Sequence, residues 1–358
     1  MNIIERVFET AKQYSGIKYT ADDVRIVLAK ATLDFYDLSA LLSHSAKDFL
    51  EEIAAKAKQN RERFFGNSVH LFTPLYLSNY CENGCTYCGF NKFRDINRKK
   101  LSFAEVEAEL ESLREIGIED ILLLTGESEN DAGLEYVAKC VALAKLRFNS
   151  VGVEIFPCDE SGYEILRQNG ADFVSVYQET YNREIYEKVH VCGKKSNFNF
   201  RFNSHERALK FGMRGVTLGA LFGLADPFID AFYALAHAYF LQKKYPRAEI
   251  SLSAPRLRGI AGEVSERDLL HIFAVFRIFM PYAGIVISTR ERKIFRDNII
   301  KIAANKMSAN VSVAVGGYAC NNAGSAQFEV SDKRNLKEIY KDLKSGGMQP
   351  VFTDYINV

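Results

Sequence analysis

Eight short apolar runs recur between residues 71 and 315, and amphipathic helical segments fill most of the gaps. The runs are LFTPLYLSN (71–79), DILLLTGE (120–127), VGVEIFP (151–157), DFVSVYQET (172–180), GVTLGALFG (215–223), EISLSAPR (249–256), GIVISTRE (284–291) and MSANVSVAV (307–315). Most are continuous rather than alternating, the pattern of strands buried on both faces, as in a parallel sheet. Between them, SFAEVEAELESLREIG opens on a capping box, Ser102 with Glu105, and carries Phe103, Val106, Leu110 and Leu113 as one apolar stripe. PFIDAFYALAHAYFLQ and ERDLLHIFAVFRIF repeat the theme, with stripes that read as core. Eight such units over about 250 residues predict an α/β fold, a (β/α)8 TIM-type barrel. A doubly wound open sheet is the competitor, and the eightfold count favours the barrel. Residues 1–70 show helical but no strand patterning, with Thr20 as an N-cap and Gly66 as a stop. The expected division is a helical N-terminal extension, 1–70, and a barrel, 71–358, whose tail QPVFTDYINV packs as an extended segment.

Charge excludes some functions. Forty-six basic against 45 acidic residues leave a formal charge of +1, so nothing electrostatic points to nucleic acid. No apolar run is long enough for a bilayer, and MNIIERVFETAKQ lacks a signal-peptide core, so we expect a cytoplasmic protein without a membrane. Seven cysteines, an odd count without a secretion signal, argue against a disulfide framework. Cys140, Cys158, Cys192 and Cys320 are scattered and read as small buried hydrophobes.

The other three are not scattered. Cys81, Cys85 and Cys88 are spaced C-x3-C-x2-C directly after the first run, at the barrel end that carries function. Structural zinc takes four protein ligands, usually as two separated pairs, and three crowded thiols without a histidine suit catalytic zinc poorly. An iron–sulfur cluster fits better, because cysteine thiolates are its usual ligands. A 4Fe-4S cluster held by three cysteines keeps one corner open, and a cofactor or substrate can complete it.

With Tyr87 before the last cysteine, the triplet resembles that of the radical S-adenosylmethionine (SAM) enzymes. The resemblance implies one 4Fe-4S cluster whose open iron is chelated by SAM, and cleavage of SAM to a 5′-deoxyadenosyl radical. It also implies a cofactor-binding motif at the second strand end, occupied here by Thr125, Gly126 and Glu127, with Thr in place of a first glycine. The need there is a carboxylate or carbonyl facing an ammonium. Glu127 could instead cap the following segment. Glu154 and Glu179, ending the third and fourth runs, are candidates for ribose hydroxyls or a positive group, or for structural ion pairs. LGALFGLAD (218–226) offers backbone to an adenine, or glycine for tight packing.

In order along the chain, PLYLSNYCENGCTYCGFN, LLLTGE, VYQETY, LGALFGL, PRLR, STRE with FRD after it, VGGYA and QPVFTDY resemble the 2-iminoacetate synthase family, from about residue 40 onward. This resemblance implies a carbon–carbon lyase. It would cleave the Cα–Cβ bond of L-tyrosine to 2-iminoacetate and p-cresol, supplying the imine for the thiazole of thiamine. It implies thiazole synthase as recipient and a low-potential electron donor. For the substrate carboxylate the candidates are Arg256, Arg258 and Arg290, with Arg290 preferred and Ser288 and Thr289 as further donors. Arg290 could instead pair with Glu291 or Asp297. Tyr318 could line the pocket or pack, and no residue is assigned to the phenol hydroxyl. Rivals are a tryptophan lyase, a hydrogenase-maturation tyrosine lyase with extra C-terminal cysteines, and a non-enzymatic electron carrier. No C-x2-C follows Cys320, which disfavours the second.

Overall fold

The apolar runs form the staves of a closed barrel. The protein is described by a computed structural model covering residues 1–259 and 262–353. Eight strands run β1 (Ser68–Ser78), β2 (Asp120–Thr125), β3 (Ser150–Glu154), β4 (Phe173–Ser175), β5 (Gly215–Gly219), β6 (Glu249–Ser253), β7 (Gly284–Ile287) and β8 (Lys306–Ser308). Each pairs in parallel with the next. β1 closes the ring. Its His70–Phe72 lies against β8, and its Thr73–Ser78 against Ile121–Thr125 of β2.

Every expected run contains a strand, but most strands stop short of the run. Of residues 172–180 only Phe173–Ser175 join the ladder. Beyond Ser175 the chain still bonds its neighbour, with Gln178 N–H donating to Gly219 O at 2.9 Å, but the backbone turns through Glu179, whose φ is 71°. These overhanging ends build the mouth.

The tail adds a short strand, β9 (Gln349–Val351), parallel to Ser68–His70. Residues 354–358 of that expected segment lie outside the described residues. The N-terminal helices Ile3–Tyr14, Ala21–Ala29 and Phe35–Leu41 each start on a capping box, Asn2 with Glu5, Thr20 with Asp23 and Asp34 with Asp37. The helix Leu50–Phe65 ends at Gly66, φ 57°, and packs on the helix Glu266–Phe279. No helix among the described residues is long and apolar enough to cross a membrane. One expectation about cysteine changes. Cys140 and Cys158 are buried, but Cys192 and Cys320 are only partly so, because they lie on loops at the mouth.

Candidate active site

β1 delivers the chain into the cysteine loop, and the loop is clamped from outside. Cys85 forms an antiparallel bridge with His190, Gly84 N–H donates to Cys192 O at 3.1 Å, and Thr86 N–H to Val189 O at 3.0 Å. A side chain at Gly84 would put its Cβ 2.6 Å from the Cys192 sulfur, so only glycine lets the two segments meet this closely. Inside the loop, Asn91 Nδ2 donates to Cys85 O at 2.7 Å.

Amide groups surround the sulfurs. Phe90 N–H is 3.4 Å from Cys88 Sγ and Asn83 Nδ2 3.8 Å from Cys81 Sγ. Burial raises the Cys81 pKa and pushes that of Cys85 up to about 12. The Cys88 thiol contributes to both shifts, so the three sit in one electrostatic neighbourhood. Among the described residues no three His, Cys, Asp or Glu side chains converge on a point that would hold a single ion. Thiols that bind separate corners of a cluster need no such convergence.

Beside the loop lie two carboxylates and two cations. Glu127 pairs with Arg201 at 2.8 Å and Lys195 at 3.6 Å; Glu179 pairs with Lys195 at 2.7 Å and Arg201 at 3.6 Å. Burial alone would neutralise all four. The opposite charges outweigh it, holding both carboxylates below and both cations above their ordinary values. Asn83 ties this group to the loop. Its Nδ2 donates to Glu127 Oε2 at 3.0 Å and its Oδ1 accepts from Lys195 N–H at 2.9 Å. Tyr87 Oη lies 2.9 Å from His190 Nε2. His190 Nδ1 faces the Tyr186 carbonyl at 2.8 Å, which puts the proton on Nδ1 and makes Tyr87 the donor. Burial pushes the His190 pKa down to about 4.

Two connected cavities open here. One of about 80 Å³ is lined by Cys88, Thr125, Gly126, Glu127, Glu154 and Glu179, among others. Thr125 Oγ1 is buried without a partner, and a Cβ at Gly126 would lie 2.3 Å from Tyr80 O. The other, of about 170 Å³, reaches across the mouth from Tyr87, Cys88 and Glu154 to Ser288, Thr289 and Arg290. Tyr76 and Gln327 line both, joined by a 2.7 Å hydrogen bond from the Tyr76 hydroxyl to Gln327 Oε1.

The radical SAM superfamily model matches residues 75–230, and that of the Biotin and Thiamin Synthesis associated domain matches residues 252–349. The 2-iminoacetate synthase of Salmonella typhimurium is 38% identical over 343 residues, spanning 94% of this chain and 91% of that protein. The 2-iminoacetate synthase of Escherichia coli gives the same figures. The chain belongs to the 2-iminoacetate synthase family. Among solved structures, the FeFe-hydrogenase maturase HydG from Carboxydothermus hydrogenoformans superposes with a TM-score of 0.89 at 31% identity, over 98% of this chain and 85% of that one.

The 2-iminoacetate synthase fold gathers most of the residues singled out from sequence around these cavities: Tyr87, Cys88, Thr125, Gly126, Glu127, Glu154, Glu179, Ser288 and Arg290, with Cys81 and Cys85 in the adjoining loop. Arg256 lies apart from them. It is buried away from both cavities and grips Glu291 with two hydrogen bonds, Nε–Oε1 at 2.8 Å and Nη2–Oε2 at 2.6 Å. The remaining nitrogen, Nη1, donates to Val264 O, so the whole guanidinium is engaged within the protein. The Glu127 carboxylate is likewise held by Arg201, Lys195 and Asn83. Asn83, Lys195, Arg201, His190 and Gln327 were not anticipated. Lys195 and Arg201 lie in GKKSNFNFRF, which carries no catalytic spacing. Only the fold brings them to Glu127 and Glu179.

Proposed function

We propose that the protein is a radical SAM lyase that cleaves the Cα–Cβ bond of L-tyrosine to 2-iminoacetate and p-cresol, with 5′-deoxyadenosine and methionine as co-products. The observation that carries the reading is a three-thiol loop sharing one cavity with Arg290, a guanidinium without a carboxylate partner among the described residues. The donor set fits a 4Fe-4S cluster: three free thiols, amide groups directed at two of the sulfurs, and a glycine where the loop meets its neighbour. Cys81, Cys85 and Cys88 would hold it. SAM would lie along Thr125, Gly126 and Glu179, where a buried hydroxyl lacks a partner and glycine lets the strand end approach the Tyr80 backbone. When bound, the pair supplies an electron and the 5′-deoxyadenosyl radical that removes a hydrogen atom. The chain's own part is to bind, orient and exclude water. Tyr87 and His190 brace the loop. Arg290 receives the substrate carboxylate beside Ser288, and the apolar walls from Phe72, Leu122, Leu124 and Val286 offer a place for the ring.

Residues 1–70 are assigned as a helical extension of the catalytic barrel, and thiazole synthase and a low-potential electron donor as partners in a reducing, cytoplasmic setting. The relatives' name and near-complete coverage support the reaction. The test is anaerobic. The protein is reconstituted with iron and sulfide and mixed with SAM, dithionite and L-tyrosine. Equal amounts of 5′-deoxyadenosine and p-cresol are expected. Deoxyadenosine without p-cresol would overturn the substrate, and neither product with an intact cluster would overturn the enzyme.

A further inference from the structure

Two ionisable side chains of the larger cavity form no ion pair among the described residues. Among the described residues, Glu154 has no cation within ion-pair distance, and the Ser175 hydroxyl donates to its Oε2 at 2.9 Å. Arg290 likewise forms no ion pair among the described residues, Glu179 acting on it only at longer range; its guanidinium lies 3.7 Å from the centre of the Phe328 ring. Glu154 ends β3 and Arg290 follows β7, four strands round the barrel, so they face each other across the mouth. Both line the cavity that Cys88 also lines, where Glu179 and Lys195 are already paired to each other. One unpaired acid opposite one unpaired base is the complement of an α-amino-acid zwitterion.

We propose that Glu154 receives the α-ammonium of the substrate whose carboxylate Arg290 holds, and takes one proton from that nitrogen. The inference rests on the lyase reading above. One N–H bond breaks heterolytically, its electron pair stays on nitrogen, and the proton ends on a Glu154 oxygen. The step has no redox change. It leaves a neutral amine as the species that loses a hydrogen atom, and the proton returns to solvent after product release. The groups facing Glu154 are Glu179, Lys195 and Arg201, Tyr76 from β1, and Ser175 and Tyr177 from β4 and its extension. Burial pushes its pKa up to about 7; Ser175 lowers it and Glu179 raises it. The same burial disfavours an ammonium, so both effects favour moving the proton to the carboxylate.

The test pairs a change in the protein with a change in the ligand. Binding of L-tyrosine and of 3-(4-hydroxyphenyl)propanoate, which lacks the amino group, is measured anaerobically on the cluster-loaded enzyme with SAM. Wild type should prefer tyrosine by about tenfold or more. Glu154→Gln keeps the length and the Ser175 contact; it should bring the two ligands within about threefold while SAM affinity holds. An unchanged preference in the variant overturns the proposal, as does a matching loss of SAM affinity, which would make Glu154 a cofactor residue. In wild type alone, a preference below about twofold overturns it without any variant. Wild type that binds neither ligand overturns the lyase reading, and this proposal with it.

Discussion

Arg290 is half-buried against an aromatic ring, and desolvation lowers its pKa. A guanidinium nevertheless stays protonated at any working pH, so the cavity wants an anion. A carboxylate suits it, because the two planar groups can share two hydrogen bonds. We expect Arg290→Ala to weaken tyrosine binding by about 2–5 kcal/mol, the usual loss for one partner of a buried charge pair, and to spare SAM binding. Anaerobic equilibrium binding of both ligands checks this; equal losses would remove Arg290 from the substrate role. Cys81→Ala, Cys85→Ala and Cys88→Ala should each abolish cluster-dependent turnover, and a fully active variant would remove that cysteine as a ligand. Sequence made the cysteines easy to find, because their spacing is local. It preferred Arg290 but kept Arg256 as a second candidate, since both follow strands. The separation is made by Glu291, next to Arg290 in sequence but hydrogen-bonded to Arg256 in space.

At the scale of elements, the stripe of the helix Phe103–Glu115 was legible and one inward residue was not. Glu109 reads as polar surface, yet it is fully buried. Its carboxylate accepts from the N–H groups of Tyr318, Ala319 and Cys320 at 3.0, 2.7 and 2.9 Å, pinning the loop that brings Gln327 and Phe328 over the mouth. Helical periodicity reports a face, not the loop that returns to cover it. Glu109→Gln would turn an amide N–H₂ toward N–H donors, at a cost of about 1–3 kcal/mol. We expect a lower Tm and faster amide exchange in residues 309–335, and unchanged exchange there would sink this role. Asp230 similarly joins the helix Pro227–Lys244 to the end of β4. It accepts from Tyr181 N–H at 2.8 Å and from the Thr180 hydroxyl at 3.1 Å, and its Oδ2 is buried without a partner. Burial raises its pKa to about 7. The folded state therefore holds a proton that the unfolded state releases near pH 4, and stability is lost as pH rises from about 4 to 7. Asp230→Asn should remove that slope. Parallel pH–Tm curves for variant and wild type would contradict it. Strand ends were misjudged for a related reason. Phe156, Leu221 and Phe222 are as buried as ladder residues but pack beneath mouth loops, so apolar character continues after pairing stops.

The whole barrel separates stability from chemistry end to end, as β/α barrels do. At the end opposite the cysteine loop, Arg277 is fully buried and bonds carbonyls rather than acids. It donates to Ala303 O at 2.9 Å, Pro281 O at 2.8 Å, Ala283 O at 2.9 Å and Asn305 Oδ1 at 2.9 Å. Arg61, on the N-terminal helix packed against it, donates to Ser68 O at 2.7 Å at the start of β1. Arg61 thus fastens the helical N-terminal region to the start of β1, and Arg277 fastens the helix packed against it to the chain entering β7 and β8. The eightfold alternation made the barrel legible from sequence. This clasp was not, because a charged residue inside the apolar stripe of ERDLLHIFAVFRIF looks like a surface position until the second helix covers it. Arg277→Met keeps the bulk and strands four acceptors, so we expect a loss of about 3 kcal/mol or more. Denaturant unfolding of the variant measures that loss. The folded fraction should keep wild-type affinity for SAM and tyrosine, since among the described residues the hydrogen bonds of the clasp reach none at the mouth. A stable variant with impaired ligand binding would mean that the two ends of the barrel are coupled.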